Sequence, residues 1–135
     1  MPKIQITQKD IDQAKLVDPG FYVVKLTSVE EKVNNKKDGT NYFFEFQVMT
    51  EGTNKDRYAK ALVSNKSLGF GMVPIICALE QIDADAFEAC DVDTDALIGK
   101  TCIVEIEHRI YEGREQVNFK NFFSTLANDI ELGPS

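Results

Sequence analysis

Asn41-Tyr42-Phe43-Phe44-Glu45-Phe46-Gln47-Val48-Met49-Thr50-Glu51 is the stretch on which the fold turns. Tyr42, Phe44, Phe46 and Val48 share one parity, and Asn41, Glu45 and Gln47 share the other. A two-residue period of this kind belongs to a strand with one face in a core and the other toward water. Phe43 departs from it, as an aromatic residue on the polar parity.

The pattern extends in both directions from this strand. Upstream, residues 20–33 alternate, with Tyr22, Val24 and Leu26 on one parity and Phe21, Val23, Lys25 and Thr27 on the other. Their β-branched content favours a strand. The polar run Asn34-Asn35-Lys36-Lys37-Asp38-Gly39 joins the two. Downstream, Gly52-Thr53-Asn54 precedes a third strand over 57–64, where Ala59, Ala61 and Val63 compete with Tyr58 and Leu62 for the inward face. Its register stays open, because a shift of one residue exchanges the faces. Spacing then becomes helical over 68–82, with Met72, Ile75, Ile76, Leu79 and Ile82 on one stripe. Alternation returns at 101–110, where Cys102, Val104 and Ile106 oppose Glu105, Glu107 and Arg109. Tyr111-Glu112-Gly113-Arg114 turns that strand into a last one over 115–123.

Residues 1–18 read as an N-terminal extension. A short helix is expected from Thr7, with Thr7 and Asp10 as a capping box and Ile11 and Ala14 as its apolar face. Pro19-Gly20 opens the main domain, 19–124, and 125–135 forms a C-terminal tail. The order β-β-β-α-β-β, with one helix between the third and fourth strands, predicts an OB-fold. That is a five-stranded Greek-key barrel that binds oligonucleotides or oligosaccharides across strands two and three and the loops beside them.

A chain of 135 residues, 43% hydrophobic, builds one core and not two. Its 22 acids and 15 bases give a net charge of −7, so any polyanion site must be a local patch. Seven of the acids lie between residues 80 and 98 with no base among them, which leaves fifteen of each sign elsewhere. The sequence has no run long and apolar enough for a membrane span, and three widely spaced cysteines suggest neither a disulfide framework nor a zinc site. A reduced, cytoplasmic setting is expected.

From Pro19-Gly20-Phe21-Tyr22 the chain resembles bacteriophage-encoded single-stranded-DNA-binding proteins over about 100 residues, a likeness of order, length and punctuation. It is carried by the Lys36-Lys37-Asp38-Gly39 loop, Tyr42-Phe43-Phe44-Glu45-Phe46, Gly69-Phe70-Gly71, Leu97-Ile98-Gly99-Lys100 and the hairpin from Gly113 to Phe119. The resemblance implies a non-enzymatic OB-fold protein that coats single strands in phage replication or recombination, in the cytoplasm of the host. Its partner is then single-stranded DNA, no cofactor is called for, and other replication or recombination proteins are further candidate partners. A homo-oligomer is left open, with the N-terminal arm as candidate contact. Many such proteins recruit partners through an acidic C-terminal tail, whereas residues 128–135 here hold two acids, Asp129 and Glu131.

Single-strand binding without sequence preference needs cations along a groove and aromatic faces for bases. If Tyr42, Phe44 and Phe46 fill the barrel, Phe43 is exposed as a stacking platform beside Lys36 and Lys37. Arg57, Tyr58 and Lys60 on strand three are candidates for the same groove, subject to the open register. Tyr111 and Arg114 occupy the hairpin loop, with Arg109 and Lys120 outward beside it. A rival reading has the same barrel docking a protein through Phe43, Met49 and Phe122.

Other chemistries fit less well. The acids of 80–98 could hold catalytic magnesium, but no lysine or histidine stands near them, and a solvated connector accounts for them. Asp91, Asp93 and Asp95 have calcium-loop spacing, yet Ala96 replaces the required glycine. His108 shares parity with Ile106 and Ile110 and reads as a core or barrel-end residue. Cys77 and Cys102 read as small buried hydrophobes, and Gly69-Phe70-Gly71 lacks the rest of a phosphate loop.

Overall fold

Alternating burial along the strands builds one core, seen in a computed structural model that describes residues 3–33, 39–127 and 129–134. Its elements are helix α1 (Gln8–Ala14), strands β1 (Gly20–Val33), β2 (Thr40–Val48) and β3 (Tyr58–Ser64), helix α2 (Leu68–Glu80), and strands β4 (Thr101–Tyr111), β5 (Arg114–Phe123) and β6 (Gly133–Pro134). Each predicted strand and the main helix are present within a few residues of their expected bounds.

The strands form an antiparallel sheet in the order β3-β2-β1-β4-β5, with β6 paired to the start of β1. β1 is the long central strand. Its outer half pairs with β2 up to Val33↔Thr40, and its first half pairs with β4 from Gly20↔Ile106 to Lys25↔Thr101. A register shift between Leu26 and Ser28 marks a bulge, which sharpens the local twist. β3 and β5 are the edges, and the sheet curls until their Cα atoms come within 8 Å. No ladder joins them among the described residues, so a seam stays open.

Val24, Leu26, Phe44, Phe46, Val48, Cys102 and Val104 are fully buried on the inner face. Burying an aliphatic or aromatic side chain of this kind contributes about 1.5–3 kcal/mol. The Phe46 ring packs against Phe119 at 5.5 Å and Phe122 at 6.1 Å between centroids. α2 packs on β3, β4 and β5 and buries Met72, Ile75, Ile76, Ala78 and Leu79.

The helix also settles strand three. Ala59, Ala61 and Val63 point inward, while Lys60 and Leu62 are exposed and Tyr58 is half-buried. Small inward side chains let α2 approach: a Cβ on Gly71 would stand 3.0 Å from a Val63 methyl.

At the N-terminus the expected capping box is present. The Thr7 amide donates to Asp10 Oδ2 at 2.9 Å, and the Asp10 amide donates to Thr7 Oγ1 at 3.2 Å. The bonds from Thr7 hold the Asp10 carboxyl below its usual pKa range. The expected apolar face is not buried, since both Ile11 and Ala14 remain exposed. The extension is held instead by Val17, which is fully buried in the core, and by polar contacts beside it, because a seven-residue helix has little apolar area to offer.

Those contacts centre on Asn54, which is 2% exposed. Its amide donates to Asp18 Oδ2 and to the Tyr22 hydroxyl, each at 3.2 Å. Its carbonyl accepts from the Asp18 amide at 3.0 Å and from the Arg57 guanidinium at 2.9 Å. Tyr22 donates in turn to the Asp18 carbonyl at 2.9 Å, and Arg57 donates to the Leu16 carbonyl at 3.0 Å. Burial pushes the Tyr22 phenol up to about 12, with the Asp18 charge as a lesser cause. At the other terminus, the tail returns to the domain through the pairs Gly20↔Pro134 and Phe21↔Gly133. Only glycine fits at position 20, where a Cβ would lie 2.2 Å from the Gly133 carbonyl oxygen. Among the described residues no helix is long and apolar enough to cross a membrane.

Replacing Asn54 with alanine leaves several buried groups short of partners. Asn54→Ala should cost about 1–3 kcal/mol. Urea unfolding will show this as a lower midpoint at unchanged slope; an unchanged midpoint refutes the structural role of the network.

Candidate nucleic-acid interface

Pairing register fixes which side chains share the outer face of β1, β2 and β3. Across the three strands they fall into the rows Tyr58–Gln47–Lys25, Lys60–Glu45–Ser28, Leu62–Phe43–Glu30 and Ser64–Asn41–Lys32. Phe43 stands on this face, half-buried, with Lys32 Nζ 5.4 Å from its ring centroid. Leu62, beside it, is 61% exposed.

The face is not open along its whole length. Lys9 of α1 sits 5.5 Å from the Tyr58 ring centroid and 4.0 Å from Glu45. Glu45 is buried although it belongs to the polar parity of β2, and Thr27 Oγ1 donates to its carboxylate at 2.9 Å. The N-terminal helix therefore covers the Tyr58 end and leaves the Phe43 end clear.

The other expected residues are distributed unevenly. Arg57 lies just before β3, and its guanidinium is engaged by Leu16 and Asn54. Tyr111 and Arg114 face each other at the tip of the β4–β5 hairpin, both exposed. This tip is carried past the Gly20↔Ile106 pair, at the opposite end of β1 from Val33. Lys36 and Lys37 lie outside the described residues. Arg109 donates to Glu107 at 2.9 Å, and Lys120 stands 3.8 Å from Glu105. Surface pairs of this kind are worth about 0–1 kcal/mol, so a phosphate can replace the carboxylate.

Lys60 and Lys120, sixty positions apart in the sequence, come together at the seam, where both line one cleft. Leu62 and Phe70 also line it, and neither was singled out from the sequence as a site residue. The outward parity of Leu62 depended on the undecided register, and Phe70 sat in Gly69-Phe70-Gly71, weighed for chemistry only as an incomplete phosphate loop. The apolar surface of the rival reading is not continuous, because Phe122 packs inward on Phe46 while Phe43 faces outward.

Residues weighed for other chemistry have structural partners. The Asp83 and Asp93 side chains cap two short 3-10 turns, and Glu80 pairs with Lys100. Among the described residues no group of three or more His, Cys, Asp or Glu is placed to hold a metal ion. Cys77 and Cys102 are buried as expected, and burial pushes the Cys102 thiol up to about 12. His108 is half-buried at the strand end, with Nε2 2.7 Å from the Val17 carbonyl and Nδ1 2.9 Å from Glu115 Oε1. Compared with known proteins, the chain matches no protein-family model and no curated protein.

Two acceptors suit an imidazolium, which donates from both nitrogens. The Val17 carbonyl first, and Glu115 after it, raise the His108 pKa above its ordinary 6.5, while burial opposes them. Stabilisation from this group is therefore complete below pH 6.5 and is lost as pH rises through the raised folded-state value. The melting-temperature advantage of the wild type over His108→Gln should be larger near pH 6 than near pH 8. Equal advantages at both values would refute the linkage.

Proposed function

We propose that this chain is an OB-fold protein that binds single-stranded DNA with little sequence preference, of the kind encoded by bacteriophages. It works without catalysis, in replication or recombination within the host cytoplasm. Several observations support the barrel. The sheet order β3-β2-β1-β4-β5 is curled with β3 close to β5, and a single helix links β3 to β4. That arrangement fits a partly open five-stranded Greek-key barrel.

The observation that carries the function is the outer face itself. Phe43 is presented on β2 between Leu62 and Glu30, with Lys32 at its ring and Lys60 one row away. An aromatic platform with lysines around it is what a stacked base and its phosphate require. The strand runs across β2 and β3 from the Phe43 end, where α1 does not cover the face. The acidic segment of residues 80–98 belongs to the connector after α2, away from these strands in sequence. Replication or recombination proteins and further copies of the chain are the partners this role implies.

The test is a titration against fluorescent oligothymidine of about 30 nucleotides and a matching duplex, at low and high salt, with wild type and Phe43→Ala. Preference for the single strand is expected, with affinity falling linearly on a log–log salt scale. Phe43→Ala, at a half-buried surface position, should weaken binding about tenfold or more, the value of one stacked base. Binding to neither nucleic acid at low salt would overturn the proposal. Binding of a protein that survives high salt would move the function to docking.

A further inference from the structure

Phe70 is 93% exposed, more than any other large hydrophobic residue of the described chain. Its place in α2 explains how the fold leaves it there. Met72, Ile75, Ile76 and Leu79 take the buried stripe, and Phe70 falls off that stripe, between Gly69 and Gly71. Pro74 lacks the amide that would bond the Phe70 carbonyl one turn earlier, so this turn of the helix is also weakly tied. A free phenylalanine ring in water stabilises nothing, and solvation gives no reason for it.

The ring stands at the cleft in the open seam. The cleft holds about 580 Å³, within the range of about 300–1,000 Å³ seen for ligand sites. Among the described residues, fifteen from β3, α2 and β5 line it, and none of these is aspartate or glutamate. Two are lysines, Lys60 on one wall and Lys120 on the other. In a chain of net charge −7 with 22 acids, this is a basic recess in an acidic molecule. Lys60 makes no ion pair among the described residues, and Lys120 has the exchangeable contact to Glu105 at 3.8 Å. Half-buried Phe119 and Phe122 form the apolar floor, stacked on each other at 5.4 Å.

We infer that this cleft is a second nucleotide subsite, in which Phe70 stacks an unpaired base while Lys60 and Lys120 hold the flanking phosphates; it rests on the single-strand reading above. Lys60 belongs to both sites, since it is outward on β3 one row from Phe43 and also lines the cleft. The bound strand thus passes from the outer face of β2 over the edge of β3 and into the seam, where an unclosed sheet gives room that a closed barrel would not.

The chain contains no tryptophan, which supplies the test. Phe70→Trp places a single fluorophore at the cleft, on an exposed position where folding is not at stake, and Phe43→Trp places one on the outer face. Oligothymidine of about 30 nucleotides should quench both, and Phe70→Ala should lower affinity about tenfold. A short oligomer of about four nucleotides should still respond to Phe43→Ala and be indifferent to Phe70→Ala. Suppose instead that the long oligomer binds and Phe43→Ala weakens it, while the fluorescence of the Phe70→Trp variant is not quenched and Phe70→Ala binds as wild type. The cleft subsite is then wrong and the outer face stands. If the wild type binds no oligomer at low salt, both fall.

Discussion

One buried amide organises the end of the sheet from which the outer face is laid out. Asn54 lies in the turn between β2 and β3, and its two side-chain atoms take four hydrogen bonds from three different parts of the chain. An amide in that position is costly unless every bond is made, and here every one is. Satisfying it fixes Asp18 and Tyr22 on one side and Arg57 on the other. Arg57 in turn donates its backbone amide to the Asn54 carbonyl and accepts from Val48. With Arg57 held, Tyr58 begins β3 opposite Gln47, and the parity of every later residue in that strand follows. A slip of one residue would turn Lys60 and Leu62 inward and put Ala61 and Val63 on the surface.

This is why strand three could not be oriented from its pattern. Tyr58 and Leu62 on one parity and Ala59, Ala61 and Val63 on the other are all compatible with burial, so hydrophobicity does not choose. Tertiary contact does: the close approach of Gly71 to Val63 needs a thin strand beneath the helix. The other strands were legible because period two and a polar alternate face coincide, as in β2 and β4. The hairpin was legible too, since Glu112-Gly113 adopts positive φ at both residues, 51° and 79°. Long-range polar partners were not. Asn54 looks in sequence like a loop residue, Arg57 like a groove cation and His108 like a barrel-end residue, and nothing local says that their partners are Asp18, Leu16 and Val17.

Charge in this molecule is arranged by pairing as much as by segregation. Two acids of the connector, Asp83 and Asp93, cap its own turns, and Glu105 and Glu107 stand beside Lys120 and Arg109 on the β4–β5 hairpin. The described lining of the cleft holds two lysines and no carboxylate, whereas Lys32 beside the Phe43 ring stands 3.7 Å from Glu30. A net charge of −7 therefore describes the surface as a whole and not the part that would meet a polyanion. The N-terminal helix adds to this arrangement by laying Lys9 over Tyr58 and beside Glu45.

The pairing of β6 with the first two residues of β1 has a consequence for how the molecule is made. β2 leaves β1 at Val24, and the vacant edge at Gly20 and Phe21 is taken by Gly133 and Pro134. The earliest residues of the sheet thus wait for residues more than 100 positions further on. Contacts so remote in sequence are slow to form, because the loop between them must close before they contribute anything. During synthesis, the start of β1 emerges long before β4 and longer still before β6. An emerging chain can complete the β1–β2–β3 meander early, but the flank at Gly20 stays unpaired until Gly133 and Pro134 have emerged.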